Sequence, residues 1–265
     1  MDYIINNEAA LRLSAFLFIL LLIFIIELIF PIYKRRIESY KRWIINFSFV
    51  LINTLILRFL FPILAVSFAS ICIKYNIGIF NYFNFNVLFS VIVSFLFLDL
   101  GIWLQHLLFH KVGFLWRFHK IHHSDEEVDF TTGIRFHPIE IIISMIYKFI
   151  LIAIIGPSIA LVIIFEIILN ASSIFNHGNI KIKRKYDLNL RKLIVTPNMH
   201  RIHHSEEEKE TNSNYGFNFS IWDRVFGTYR ENSAKGDDLI VGLEEFKDKN
   251  SRSILLLLFK PFSNK

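Results

Sequence analysis

The chain has 265 residues, of which 54% are apolar and 20% charged, with 29 phenylalanines and a formal net charge of +6. Its apolar residues fall in blocks longer than a water-soluble fold needs, which excludes a purely aqueous domain and implies a membrane protein. The single cysteine, Cys72, lies inside such a block, excluding a disulfide framework, a cysteine-based zinc site and an iron–sulfur cluster, while Lys and Arg flank apolar blocks instead of forming a basic face with interleaved aromatics, so no nucleic-acid partner is expected.

Leu13–Tyr33 is the first predicted span, with Glu27 its only charged residue and the basic run KRRIESYKR directly after it. Acidic residues precede it and no small-residue cleavage site follows, so it reads as an anchor and not as a signal peptide. Ile44–Ile73 is the second block, interrupted only by Arg58 and Pro62 and too long for one upright crossing, so it tilts, kinks or overhangs. Val87–Leu104 is the third, with Asp99 its one charge, and Ile139–Asn170 is the fourth, with Gly156-Pro157 near its middle.

Histidines lie on both sides of the fourth block, and a single site needs both sides on one membrane face. The block is therefore predicted to enter and return as a helical hairpin broken at Gly156-Pro157. The expected fold is an all-α membrane protein of four to five apolar helices, including the hairpin, with a cytosolic histidine-rich helical di-metal region. Its parts are N-terminal transmembrane helices over 1–86, a di-metal domain with the third span and the hairpin over 87–230, and an interfacial tail over 231–265. The basic runs at 34–42 and 181–185, with Lys111, Arg117 and Lys120, share the histidine side, which the positive-inside rule makes cytosolic. Leu255–Phe262 is too short to span and is expected to lie in the interface or to cover the cytosolic region.

All ten histidines fall between residues 106 and 204, and eight form three boxes: His106 and His110 in HLLFH, His119, His122 and His123 in HKIHH, and His200, His203 and His204 in HRIHH. On a helix, positions i, i+3 and i+4 lie within about 100° of one another, so each box is expected to aim its imidazoles at one spot. A lone buried histidine is usually a hydrogen-bonded core residue, but three boxes at one mouth of a bundle point to metal. The remaining two, His137 in RFHPIE and His177 in FNHGN, stand at the polar edges of the hairpin. Together they make ten nitrogen ligands, enough for two metals with five each and one open position on each. Imidazole suits iron, zinc, copper and nickel, and iron is the choice for dioxygen chemistry. Asp99, seven residues before His106 and so on roughly the same face, is expected to orient an imidazole through its other nitrogen. Glu140, Asn176, Asn198 and Asp223 are weaker candidates for that role, and Glu27 is a candidate to pair with Arg58.

The order D-x6-H-x3-H, LWRFHKIHHSDEEVDFTTGIRFHPIE, FNHGN, TPNMHRIHHSEE and TNSNYGFNFSIWDRVFGTY, covering roughly Leu96 to Arg230, resembles the fatty acid hydroxylase and sterol desaturase superfamily, in particular its bacterial-type members. The resemblance implies two iron ions, with zinc possible after purification, held by His106, His110, His119, His122, His123, His137, His177, His200, His203 and His204. It implies O2-dependent hydroxylation of a fatty acyl, sterol or ether lipid at the cytosolic face of a multi-pass protein, with desaturation as the alternative reaction of the same centre. A non-redox metal-binding membrane protein is the reading from another class. Electrons must come from outside, from a cytochrome b5-like protein or a ferredoxin and its reductase, since no nucleotide fingerprint or cysteine cluster is present. The Ile, Lys, Asn and Phe bias suggests an AT-rich bacterial genome, for which the expected location is the inner membrane.

Overall fold

Where water is absent, runs of Leu, Ile and Phe satisfy their backbone groups internally only as helices or closed barrels. The computed structural model describes residues 7–35, 39–61, 63–247 and 253–263, and among these every element larger than an isolated bridge is helical. Five stretches are long and apolar enough to cross a membrane: Glu8–Ile29, Ser39–Tyr82, Val87–Lys111, Pro138–Ile155 and Ile159–Asn176. The chain is a multi-pass membrane protein.

Helix α1 (Glu8–Ile29) starts earlier than the hydropathy block because Glu8 and Arg12 pair one turn apart at 3.3 Å, and it stops before Pro31, whose ring disfavours helical geometry in the residue preceding it. The second block, expected to tilt, kink or overhang, is divided into α2 (Ser39–Leu60) and α3 (Ala65–Lys74), followed by a single turn, α4 (Ile79–Tyr82). Pro62 itself lies outside the described residues, as do 36–38 of the basic run. Helix α5 (Val87–Lys111) is capped by Asn86, whose side chain accepts from the Leu88 amide at 2.9 Å, and it runs past Leu104 to carry the first histidine box. Helix α6 (Gly113–His123) follows at once and carries the second.

The fourth block is the expected hairpin. Helix α7 (Pro138–Ile155) ends at Gly156 in the left-handed conformation, and α8 (Ile159–Asn176) restarts behind Ser158, whose hydroxyl accepts from the Leu161 amide. That turn is packed backbone to backbone: a Cβ on Gly78, itself at φ 101°, would meet the Gly156 nitrogen at 2.4 Å, so neither glycine tolerates a side chain. Helix α5 thus runs toward the histidines, α7 leaves them and α8 returns, so both ends of the hairpin reach one end of the bundle. Ala65, Val66, Ala69 and Cys72 of α3 pack on Ile152, Val162 and Ile163, and Leu98 and Ile102 of α5 on Leu151 and Phe165.

Beyond α8 the chain folds over the histidine end in short helices: α9 (Arg184–Leu190), α10 (Pro197–His203), α11 (Glu208–Thr211), α12 (Ile221–Val225) and α13 (Ile254–Phe259). The C-terminal apolar segment covers this region. Leu257 of α13 is fully buried with Phe246 against Ile45 and Phe49 of α2 and Ile121 of the second box helix.

Candidate metal centre

Nine of the ten histidines fall into two groups, within each of which the ligand atoms lie within 4.8 Å of one another: His106, His110, His119, His123 and His203 in one, and His122, His177, His200 and His204 in the other. The second and third boxes therefore do not each aim at one spot. His119 and His123 serve the first group while His122 turns to the second, and His200 and His204 serve the second while His203 crosses to the first. Helical geometry gives the reason. Residues i and i+4 differ by about 40° around the axis, whereas i+3 stands about 100° from i+4. One three-histidine box thus spans two adjacent centres and ties them together.

The outer nitrogens fix the rings. Nδ1 donates to the Tyr215 carbonyl from His106 (2.8 Å), to the Arg135 carbonyl from His122 (3.1 Å), to the Ser173 carbonyl from His177 (2.6 Å), to the Ser213 carbonyl from His203 (2.7 Å) and to Glu140 Oε1 from His119 (2.7 Å). An acceptor beside Nδ1 places the ring's proton there and leaves Nε2 as a bare lone pair. These lone pairs face one another: His106 and His119 at 3.2 Å, His106 and His203 at 3.0 Å, His122 and His177 at 3.0 Å. No proton is left to share in any of the three contacts. In the same pocket His110 Nε2 and both nitrogens of His123 are buried without a hydrogen-bond partner among the described residues. Inward lone pairs at such distances repel unless a cation lies between them, so the donor set fits metal binding.

Burial keeps the rings in the ligand form. It drives His122, His123, His200 and His204 well below the usual 6.5 and holds His177 down to about 4 and His203 to about 3. Neutral imidazole is what a metal binds.

The tenth histidine is placed elsewhere. His137 is the N-cap of α7: its Nδ1 accepts from the Ile139 amide at 3.2 Å and its Nε2 donates to the Leu258 carbonyl at 3.1 Å, so it stands outside both groups with neither nitrogen spare. The expected set of ten converging rings is corrected to nine. Asp99 also differs from expectation, since it bonds no imidazole: its Oδ2 accepts from Trp222 Nε1 at 2.8 Å and from the Phe219 amide at 3.3 Å. Seven residues do return to the face of His106, but about 10 Å along the axis, too deep to reach the ring. Asn176 donates to the Phe217 carbonyl at 2.7 Å and Asn198 to the Ile182 carbonyl at 3.5 Å, again without a ring partner. Glu27 pairs with Arg35 and accepts from the amides of Phe130 and Asn179, while Arg58 is exposed.

Two supports are stronger than expected. Glu140 is the carboxylate that orients a ring. Asp223 accepts from Trp103 Nε1 (3.1 Å), Thr228 Oγ1 (2.6 Å) and the amides of Tyr215 and Gly216 (both 2.8 Å), fixing the carbonyl that holds His106. A third support was not foreseen. Arg42 of α2 binds Asp125 at 2.5 Å, Asp129 at 3.1 Å and Glu127 at 3.2 Å, pinning the loop between α6 and α7 whose Arg135 carbonyl holds His122. The acid-rich run DEEVD was its sequence signal, because buried carboxylates need a counter-charge.

A cavity of about 180 Å³ reaches this centre between α5, α7 and α8. Ile102, Phe109, Leu169 and Phe217 give it apolar walls, His106 and His119 form one boundary, and Gln105, Glu140, Ser144 and Lys148 add polar groups.

A profile of the family described as fatty acid hydroxylase matches residues 91–228, just over half of the chain. The ornithine lipid hydroxylase of Rhizobium tropici is 29% identical over 177 residues, 67% of this chain and 51% of that protein. The alkylglycerol monooxygenase of Caenorhabditis elegans is 32% identical over 179 residues, 63% of this chain and 33% of the relative, and the human alkylglycerol monooxygenase is 28% identical over 155 residues, 57% and 32% respectively. The match thus spans about half, or only a third, of these relatives. No solved structure matches the chain.

Proposed function

The chain belongs to the fatty acid hydroxylase family, and we propose that it is a membrane-bound di-iron oxygenase that hydroxylates an unactivated C–H bond of a lipid. The balanced reaction consumes one O2, two electrons and two protons, converting R–H to R–OH and releasing one water. The observation that carries this reading is the facing array of Nε2 lone pairs, whose protons are all committed outward. Nine imidazoles exceed what a hydrolytic zinc with three protein ligands and a water uses, and they suit a pair of redox metals. Bound iron supplies the activation of O2. The protein's part is positional: backbone carbonyls and Glu140 hold the rings, and the α5–α7–α8 cavity holds an aliphatic chain against His106 and His119.

The ornithine lipid hydroxylase and alkylglycerol monooxygenases support a lipid substrate drawn from the bilayer. Lys111, Arg117, Lys120 and the run at 181–185 favour the cytosolic side for the histidine end, in a bacterial inner membrane, and a basic surface there suits an acidic electron carrier. Reduction by such a carrier slows as salt rises. The test of the function is to supply ¹⁸O2 to cells with and without the protein and to compare their lipids. One labelled hydroxyl in a lipid found only with the protein is the expected result. A new double bond without label identifies a desaturase, and unchanged lipids with exchangeable zinc in the protein remove the oxygenase reading.

A further inference from the structure

The cavity is more polar than an aliphatic chain requires. Glu140 is 4% exposed; its Oε1 accepts from His119, and its Oε2 is buried with no partner among the described residues. Gln105 donates its amide to the Ser144 hydroxyl, and its Oε1 is likewise buried and unpartnered. Both residues line the cavity beside His106 and His119. Glu140, Ser144 and Lys148, spaced i, i+4 and i+8, form one polar stripe along an otherwise apolar helix, and its deep end is fixed by a 2.6 Å bond from Lys148 to Glu166. A stripe of this kind inside a membrane span is costly unless something answers it.

What answers it must donate. Two orphaned acceptors beside a metal pocket gain nothing from a saturated chain, whereas a hydroxyl or an N–H satisfies one or both. We propose that the cavity takes a lipid bearing a hydrogen-bond donor, a hydroxyl or an amide N–H, close to the carbon presented to the histidines, with Glu140 and Gln105 selecting it. The inference rests on the oxygenase reading for the identity of the site and extends it to substrate class. Plain hydrocarbon chains and ethers lacking a neighbouring donor are then poor ligands.

Binding of 1-dodecanol and of dodecyl methyl ether to the purified, metal-loaded full chain in micelles tests this, read by competition with a brominated lipid that quenches tryptophan fluorescence. The two probes share a chain and an oxygen and differ in the donor. The alcohol is expected to bind about tenfold tighter or more, since a hydrogen bond to a buried and otherwise unanswered acceptor is at stake. Glu140→Gln keeps an acceptor for His119 but turns an amide donor toward the cavity, so the preference narrows or inverts. Gln105→Met lowers the preference without touching a histidine, and it decides the matter if Glu140→Gln loses metal. Equal binding of alcohol and ether by the wild-type protein, or an unchanged preference in Gln105→Met, overturns the proposal. Labelled lipid product with no alcohol preference sinks only this inference, while a clear preference in a protein that makes no product sinks only the oxygenase reading.

Discussion

His137 and His177 occupy matching places in the sequence, one at each polar edge of the same helical hairpin, and they do opposite things. His137 precedes Pro138 at the start of α7, where the first turn leaves amides without partners, so its imidazole is recruited as an acceptor and its other nitrogen is tied to Leu258. His177 follows Asn176 at the end of α8, where the unsatisfied groups are carbonyls, so Nδ1 donates to Ser173 and Nε2 is left bare toward His122, His200 and His204. Helix polarity alone sorts the two. An N-terminus consumes an imidazole lone pair, and a C-terminus aims one outward.

Substitutions at and around the two histidines test this contrast. His177→Ala abolishes hydroxylated-lipid formation, because a group of four nitrogens falls to three, and lipid analysis of expressing cells reads this directly. Arg42→Ala asks whether the loop leading into His137 supports the cage through Arg135 and not through His137 itself. It removes the Arg42 guanidinium from buried Asp125, Glu127 and Asp129 and lowers stability by about 3–5 kcal/mol, measured by thermal unfolding in micelles. The same cluster sets the acid limit. Burial pushes the Asp125 carboxyl up, and Arg42 more than offsets this, holding it well below the usual range. A depressed carboxylate stabilises the fold fully above its ordinary pKa of about 3.9, and that contribution is lost as pH falls through the depressed value. Arg42→Ala therefore moves the acid transition to higher pH.

Glu140→Ala frees His119 and weakens metal at the five-histidine group by about 10–100-fold, with the other group unaffected in a chelator titration. His137→Ala removes a cap and the bond to the Leu258 carbonyl but no nitrogen of either histidine group. It lowers stability by about 1 kcal/mol and leaves product formation intact, and His137→Asn recovers most of the loss because asparagine is a good N-cap.

The contrast also marks what the sequence could reveal. Box spacing disclosed helices that carry clustered rings, and Gly156-Pro157 disclosed the hairpin, because both signals are local. His-Pro was equally local, the same N-cap and proline grammar by which Thr196 and Pro197 start α10, and it distinguishes His137 from His177 once read as a helix start. The division of each three-histidine box between two centres follows from a 100° offset, yet only tertiary contacts select which ring crosses. Asp99 misled because angular register matched while axial depth did not. Arg35 and Arg42 lie in a run that reads as membrane-flanking charge, but one neutralises Glu27 and the other a buried acidic loop. Which carboxylates needed them could not be seen before the loop and the helix met.

The metal content of the purified wild-type chain, beside its His137→Ala and His177→Ala forms, tests whether His177 and not His137 holds metal. Close to two irons per chain are expected in the wild type, the same in His137→Ala, and at least one metal lost in His177→Ala. A wild-type protein without bound metal, or equal losses in the two variants, contradicts this assignment.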